Sequence, residues 1–310
     1  MTTLPRVTVV TPSFNQGDFL EATIESVLTQ DYPNIEYMVV DGGSTDRSVE
    51  IIRQYADRLA YWISERDSGQ SSAINKGWRR GTGDIFAFLN SDDTYLPGAI
   101  RTAVEFLNAH PDAGIAYGDC LAIDEKGATI EKYDARFREF DIGTVMYTCR
   151  APFPQPAAFI RADVVHRIGL MDESLQYAMD YDYWLRAGLH YRLAYIPATL
   201  ATYRLHPASK SVSRGVLNGP EIIRIHQRLL ELPDFPESLR RNRRRVLCAA
   251  YLRAADEYYA AVQLPHARAM WMRAWALYPA AFGVREYLGV VNTWMYPLRR
   301  RLRMKRTIAS

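Results

Sequence analysis

Cysteine is scarce in this chain of 310 residues: Cys120, Cys149 and Cys248 stand far apart, and no CxxC pair occurs. Reduced thiols in a cytoplasmic protein are expected, and neither a disulfide framework nor a cysteine-based zinc site is. Apolar runs of about 18 residues are missing, and the N-terminal MTTLPRVTVVTPS has no basic segment ahead of an apolar core. A spanning helix and a secretory signal are therefore not expected. The chain also lacks a GxxxxGK(S/T) loop, and no GxGxxG follows its first apolar strand pattern. GTGD at 81–84 comes after a helical pattern and before a strand pattern, the wrong side for a dinucleotide fingerprint. Both absences count against P-loop phosphotransfer and nicotinamide chemistry.

What is present is the composition of a globular protein, 48% apolar and 24% charged. The net charge of +3 conceals an asymmetry. Residues 1–215 carry 21 Lys/Arg and 28 Asp/Glu, a balance of −7, whereas residues 216–310 carry 17 and 7, a balance of +10. An acidic body joined to a basic C-terminal region implies an anionic partner for that region, a membrane surface or a nucleic acid.

The first hundred residues alternate Val- and Ile-rich strand patterns (VTVVT, IEYMVVD, LAYWISE, DIFAFLN) with helical ones, the first helix running from about Gly17 to Gln30. Such alternation predicts parallel strands joined by right-handed crossovers. After Ala113 the pattern changes to GIAYGD, a hairpin turning at Asp124 to Gly127, and antiparallel pieces PAAFI, YRLAYIP and LATYRLH, as mixed sheets append to a parallel core. From about Gly219 only helical patterns remain, punctuated by prolines. The division expected is 1–215 and 216–310. Within the second part, AADEYYAAVQLPHARAMWMRAWALYP reads as a helical hairpin, with a faint likeness to one tetratricopeptide unit.

Four strand patterns of the first part end in polar clusters: TPSFN at 11–15, DGGSTD at 41–46, SERDSGQ at 64–70 and NSDD at 90–93. In a parallel sheet these ends share one edge, where open α/β sheets bind ligands. A tight turn explains any one cluster but does not require four. Asp92 and Asp93 would repel each other unless a cation or strong donors intervene. Oxygen ligands suit Mg²⁺ or Mn²⁺, with waters and substrate phosphates filling the remaining positions; an ordinary capping turn before Pro97 is the plainer alternative. In MDYDYWLR (179–186), helical spacing puts Asp180 with Trp184 and Asp182 with Arg186, so one aspartate can face a cleft while the other pairs. Asp180 is the candidate general base. In YRLHPASKS (203–211), His206 is a candidate third metal ligand, and Arg204 or Lys210 is placed to neutralise a diphosphate.

Taken in order, VTVVTPSFNQ, DGGSTD, ERDSGQSSAINKG, NSDD, QPAAFI, MDYDYWLR and RLHPASKS closely resemble the family 2 glycosyltransferases of bacteria, over roughly residues 5–215. The resemblance implies an α/β fold of the GT-A nucleotide-diphospho-sugar transferase type, a mixed and mainly parallel sheet between helices, here with a C-terminal all-helical extension. It also implies inverting, metal-dependent sugar transfer. Carried over, Thr11, Pro12 and Phe14, with Asn15 in the same cluster, would border the nucleobase, and Asp41 would accept a hydrogen bond from it. Asp92 and Asp93 would form the metal site, Asp93 as direct ligand, and Asp180 would be the base. Asp67, Gln70, Asn75 and Lys76 would line the donor pocket. Met179 stands where many members have a glutamate before the base.

The expected donor is a nucleotide-diphospho-sugar, by preference a UDP-sugar. The expected acceptor is a saccharide or a lipid-linked saccharide, in cell-envelope polysaccharide or glycan synthesis. A sugar nucleotidyltransferase would need a glycine-rich basic loop near its start, which is missing here, and an idle nucleotide-binding module is a third reading. The C-terminal REYLGVVNTWMYPLRRRLRMKR mixes aromatic anchors with dense basic charge, which suits peripheral attachment to an anionic membrane on its cytoplasmic face; a solvated basic tail is the alternative. Nucleic acid is not an expected partner, because no recognised nucleic-acid module accompanies the charge.

Overall fold

The computed structural model describes residues 4–207, 209, 218–283, 286, 288, 289, 291 and 293. They fall into two compact units, one within Met1–Ile142 and Ala151–Ser213, the other within Gly143–Arg150 and Arg214–Ser310.

The first unit is built on a nine-stranded mixed sheet. Its parallel half comprises β1 (Val7–Ser13), β2 (Ile35–Asp41), β3 (Tyr61–Ser64) and β4 (Ile85–Phe88), in the spatial order β3-β2-β1-β4. Helices α1 (Leu20–Leu28), α2 (Ser48–Gln54) and α3 (Gln70–Arg80) are the crossovers. All seven residues of β1 are buried. A strand covered on both faces reads as a continuous apolar run, which is why VTVVT shows no alternation. In α1 the buried Leu20, Thr23, Ile24 and Val27 recur at helical spacing, so one stripe faces the sheet. Close packing of α3 on β1 depends on Gly77: a Cβ there would lie 2.5 Å from the Val10 side chain. The helix spans are shorter than their patterns, and α1 starts at Leu20 rather than Gly17 because residues 15–17 are engaged in loop hydrogen bonds instead.

Beyond β4 the sheet continues through β8 (Ala158–Arg161), β6 (Ala113–Ile123), β9 (Arg192–Arg204) and the two-residue β5 (Thr94–Tyr95), while β7 (Thr129–Tyr133) pairs with β6. The hairpin turns where expected, with Asp124 Oδ1 accepting the Lys126 and Ala128 N–H groups. Two expectations are corrected. YRLAYIP and LATYRLH are one 13-residue strand, β9, because Pro197 is accommodated where the register against β6 shifts. That strand is parallel to β6 and antiparallel to β5, with one isolated antiparallel bridge from Ala194 to Glu139. After β8, helices α6 (Ala162–Ile168) and α7 (Met179–Gly188) carry the chain back, so β9 enters the sheet in the same direction as β6. Helix α4 (Ala99–Ala109) covers this half through Ala99, Ile100, Ala103, Val104 and Leu107.

The second unit is helical in its described residues: Asn218–Leu230, Glu237–Arg241, Arg243–Ala260 and Leu264–Leu277 follow one another, and α5 (Ile142–Thr148) lies almost entirely within it. The last two long helices form the expected hairpin, with Ala255, Ala267 and Trp271 at its centre.

Candidate active site

Register fixes the geometry of the strand-end edge. Ser13 is level with Asp41, Asp41 is level with Ser64, and β4 lies on the other side of β1. The four polar clusters therefore leave the sheet side by side, at the edge where ligands of open sheets bind.

The first two loops are laced together. Asn15, in the left-handed region at φ 51°, donates its N–H to Ser44 Oγ (2.8 Å), and its Oδ1 accepts the Thr45 N–H (2.8 Å). Gly17 N–H donates to Asp46 Oδ2 (2.8 Å). Burial opposes ionisation of Asp46, but hydrogen bonds from Ser48 and Gly17 hold its carboxyl below the usual range. The Asp41 carboxylate is fully buried and accepts the Gly43 N–H (3.0 Å), the Ser44 N–H (2.8 Å) and the Ser44 and Ser64 hydroxyls. It therefore shapes its own loop and presents Ser44 at the edge. Thr11 is buried with its hydroxyl 3.0 Å from that of Tyr37, and Pro12 is buried too. Phe14 is 60% exposed, leaving an aromatic face available at this edge. Ser13 was not singled out by its motif, yet its buried Oγ has no hydrogen-bond partner among the described residues.

The third loop turns under Gly42, where a Cβ would meet the Asp67 carboxylate at 3.1 Å. Burial pushes the Asp67 carboxyl up, against the pull of the Gly69 N–H that donates to its Oδ1 (2.9 Å). Lys76 pairs with Glu65. Asn75 is buried, and its amide bonds to both polar backbone groups of Met171 and to Glu173 Oε1. That residue anchors the 171–173 segment and has no free polar atom toward the donor edge.

The fourth loop is organised by β5. Antiparallel pairing of Thr94 with Thr202 places Arg204, two residues on, opposite Asp92, two residues back. Thr94 and Thr202 hydroxyls meet at 2.7 Å. The Arg204 N–H donates to Asp93 Oδ1 (2.9 Å), while its guanidinium donates to the Asp92, Asp124 and Glu125 carbonyls and lies 4.9 Å over the Phe19 ring. Asp93 is 1% exposed, and its other oxygen accepts from Asn90 Nδ2 (3.2 Å). Burial, then the neighbouring charge of Asp92, pushes the Asp93 carboxyl well up, and the two donors oppose this. The Asp92 side chain is 17% exposed, with Oδ2 3.0 Å from His206 Nε2. The His206 ring packs 4.7 Å from that of Phe19. A carboxylate beside an imidazole suits a divalent first-row cation. Among the described residues no three His, Cys, Asp or Glu side chains are grouped to hold a metal; the Asp92–His206 pair fits an ion that takes its other ligands from water and a diphosphate. Lys210 lies outside the described residues.

Asn90 links the loops. Gln70 Nε2 donates to its Oδ1 (2.6 Å), and its Nδ2 also lies 3.1 Å from Gln155 Oε1, while Gln155 Nε2 donates to the Phe88 carbonyl (2.7 Å). Gln155 was not among the residues singled out, although it opens the QPAAFI motif.

Asp180 lies in the first turn of α7, its Oδ1 accepting the Tyr181 N–H (2.7 Å). Asp182 is fully buried and pairs with Arg186 at 2.8 Å, as the helical spacing predicts. The segment leading into α7 is tied to the third loop: Ser68 Oγ donates to Glu173 (3.2 Å), Ser71 Oγ to the Leu175 carbonyl (3.4 Å), and Gln176 Nε2 to the Ser68 carbonyl (3.3 Å). One turn after Asp180, Trp184 lies 5.0 Å from Phe153, which stacks on Tyr117 at 4.0 Å. Phe153 also lines a cavity of about 350 Å³ together with Tyr133, Asp134 and Arg136.

With this geometry in view, the comparison with known proteins is decisive for the family. The sequence profile described as Glycosyl transferase family 2 matches residues 8–169, which hold all four strand-end clusters. The chain belongs to glycosyl transferase family 2. A relative named an uncharacterized glycosyltransferase, from Rickettsia typhi, is 31% identical over 186 residues, covering 59% of this chain and 58% of the relative. The match thus spans little more than half of that relative's length. Among solved structures, S. aureus TarS in complex with UDP-GlcNAc aligns with a TM-score of 0.64 at 17% identity, over 93% of this chain and 79% of TarS. A mannosyltransferase from Pyrobaculum calidifontis in complex with GDP-Man and Mn²⁺ aligns with a TM-score of 0.62 at 20% identity, over 99% and 84%. Both establish that this family 2 chain has the glycosyltransferase fold of the GT-A type.

Proposed function

We propose that the protein transfers a sugar, with inversion, from a UDP-sugar to a hydroxyl of a saccharide or lipid-linked saccharide. The observation that carries this reading is the physical link between the donor-side loop and the lead-in to α7. Ser68 and Ser71 hold residues 173–176, which end four residues short of Asp180, and Gly69 leaves room for Gln176, so a donor seated at the strand ends and a base on α7 belong to one framework.

In this mechanism Asp180 takes the proton of the acceptor hydroxyl as its oxygen bonds to the anomeric carbon, from the face opposite the diphosphate. The bond from that carbon to the diphosphate oxygen breaks in the same displacement, so the configuration inverts and no covalent enzyme intermediate is required. Phe14 and Ser44 stand at the edge to contact the base and ribose of the donor. Asp92 and His206 would hold the divalent ion. When bound, Mn²⁺ or Mg²⁺ supplies positive charge for the departing diphosphate. Asp93 and Arg204 keep Asp92 in place. Support for UDP comes from the fold shared with TarS, which binds UDP-GlcNAc. Among the described residues no helix is long and apolar enough to cross a membrane.

The test pairs binding with turnover. UDP with Mn²⁺ is expected to raise the melting temperature of wild type and of Asp180→Asn alike, while Asp180→Asn loses transfer by about 10²-fold or more. Full transfer by Asp180→Asn would end the assignment of the base. No nucleoside diphosphate raising the melting temperature would instead point to an idle module.

A further inference from the structure

The helix Leu264–Leu277 is apolar on two sides. Leu264, Ala267, Trp271 and Ala274 recur at helical spacing and are buried in the hairpin. On the outer side Ala269 and Ala276 are exposed, with Met272 at 60% and Trp275 at 50% exposure. No Asp or Glu occurs anywhere in this helix. His266, Arg268 and Arg273 share the uncovered side, so Met272 and Trp275 stand exposed among basic groups only. The exposure is concentrated in this region. Of the large apolar side chains exposed among the described residues, Leu4, Phe14, Ile130 and Tyr133 lie in the first unit, whereas Tyr259, Val262, Met272, Trp275, Leu288 and Val291 lie in the second. Met272 and Trp275, one turn apart on the same helix, form an exposed apolar pair of the kind that marks a contact surface.

Charge identifies the partner. The hairpin is antiparallel, and Cys248 Sγ lies 3.9 Å from the Tyr278 carbonyl. Trp275, one turn before Tyr278, is therefore at the same end of the hairpin as Arg241, Arg243, Arg244 and Arg245, which lie one to two turns before Cys248 and are exposed. Arg241 and Arg243 pair with Glu237 and Glu231, but Arg244 makes no ion pair among the described residues. Arg273 adds a further exposed cation beside Met272. Against a second copy of the chain this surface would bring like charges together, because residues 216–310 carry an excess of ten positive charges. An anionic bilayer supplies both an apolar layer and negative headgroups.

We propose that the Met272–Trp275 face docks on an anionic lipid surface, with these two side chains entering the headgroup boundary and the arginines at that end of the hairpin meeting the headgroups. This assignment rests on the helical unit alone and is independent of the sugar transfer.

The full-length chain is mixed with vesicles of pure phosphatidylcholine or of phosphatidylcholine with phosphatidylglycerol, and bound protein is measured by co-sedimentation. Wild type is expected to bind the anionic vesicles and not the neutral ones. Met272→Ser/Trp275→Ser is expected to weaken that binding by about tenfold or more, with an unchanged melting temperature, and Trp275→Phe to restore most of it. Equal binding of both vesicle types overturns the proposal. Undiminished binding by the double variant also overturns it, and assigns the lipid contact to the basic C-terminal segment instead. A concentration-dependent dimer that the double variant abolishes, seen by analytical ultracentrifugation without lipid, replaces the bilayer with a second copy.

Discussion

His206 Nε2 lies 3.0 Å from Asp92 Oδ2, although 114 residues separate the two in sequence. The register prepares this pairing: Thr94 opposite Thr202 sets Arg204 level with Asp92, and His206, two residues beyond Arg204, reaches the Asp92 carboxylate. Asp92→Asn and His206→Ala are each expected to lower transfer by about 10²-fold and to remove the dependence of the UDP-induced melting shift on Mn²⁺. The check is a calorimetric titration of UDP with metal and with chelator. A variant that keeps a metal-dependent shift would place the ion elsewhere.

Arg204 should behave as a structural staple. Its guanidinium satisfies the carbonyls of Asp92, Asp124 and Glu125 and lies over Phe19, and the residue is 7% exposed. Arg204→Ala leaves buried acceptors unpaired and is expected to cost about 3 kcal/mol, read as a loss of denaturation midpoint. Arg204→Lys supplies one point of charge where a fork was used and should recover only part of this. An unchanged midpoint in Arg204→Ala would contradict the staple.

Gly69 sits at φ 121° and ψ −175°, a region open essentially only to glycine, and a Cβ on it would approach Gln176 Oε1 to 2.8 Å. Gly69→Ala strains the backbone and pushes residue 176, and with it the entry to α7. We expect kcat to fall by roughly tenfold or more, with KM for the donor changing less. Shortening the partner in Gly69→Ala/Gln176→Ala relieves the clash but not the backbone strain, so recovery should be partial. Equal loss in kcat and in donor affinity would show that the loop serves the donor alone.

Burial lowers the pKa of His226 to about 4. An unfolded histidine takes a proton near pH 6.5, whereas the folded one resists until about pH 4, so stability is complete above 6.5 and drains away as pH falls toward 4. The loss approaches about 3 kcal/mol. Urea denaturation of wild type and His226→Gln across this window should show a shallower pH slope for the variant between these limits. Parallel slopes would mean that His226 does not control this loss.

The parallel half of the fold was legible because strands buried on both faces leave continuous apolar runs, and their polar ends stand out against them. Asp182 and Arg186 were legible for a similar reason, since helical spacing alone pairs them. Side-chain direction was harder to read. Asn75 belongs to a motif-rich helix, but nothing in the sequence says that its amide turns toward Met171, a partner 96 residues away. The Arg204 side chain reads as a free cation until three carbonyls from two loops are seen around it. Gln155 and Ser13 were passed over because neutral residues give no charge pattern to follow, and only their surroundings distinguish them. The single strand β9 was split in two by its proline, because the register shift that accommodates Pro197 is a property of the neighbouring strand.

That strand also acts as a measuring rod. It runs 13 residues from Arg192 to Arg204, is gripped by β6 along most of that length, and delivers His206 two residues past its end. Loop insertions at Asp124–Gly127 would leave this length untouched, whereas one residue gained or lost between the last β6 register shift and Thr202 would bring Leu205 or Pro207 to Asp92. Divergence in this part of the chain is therefore free to alter side chains on β9 but not to change how many residues it counts.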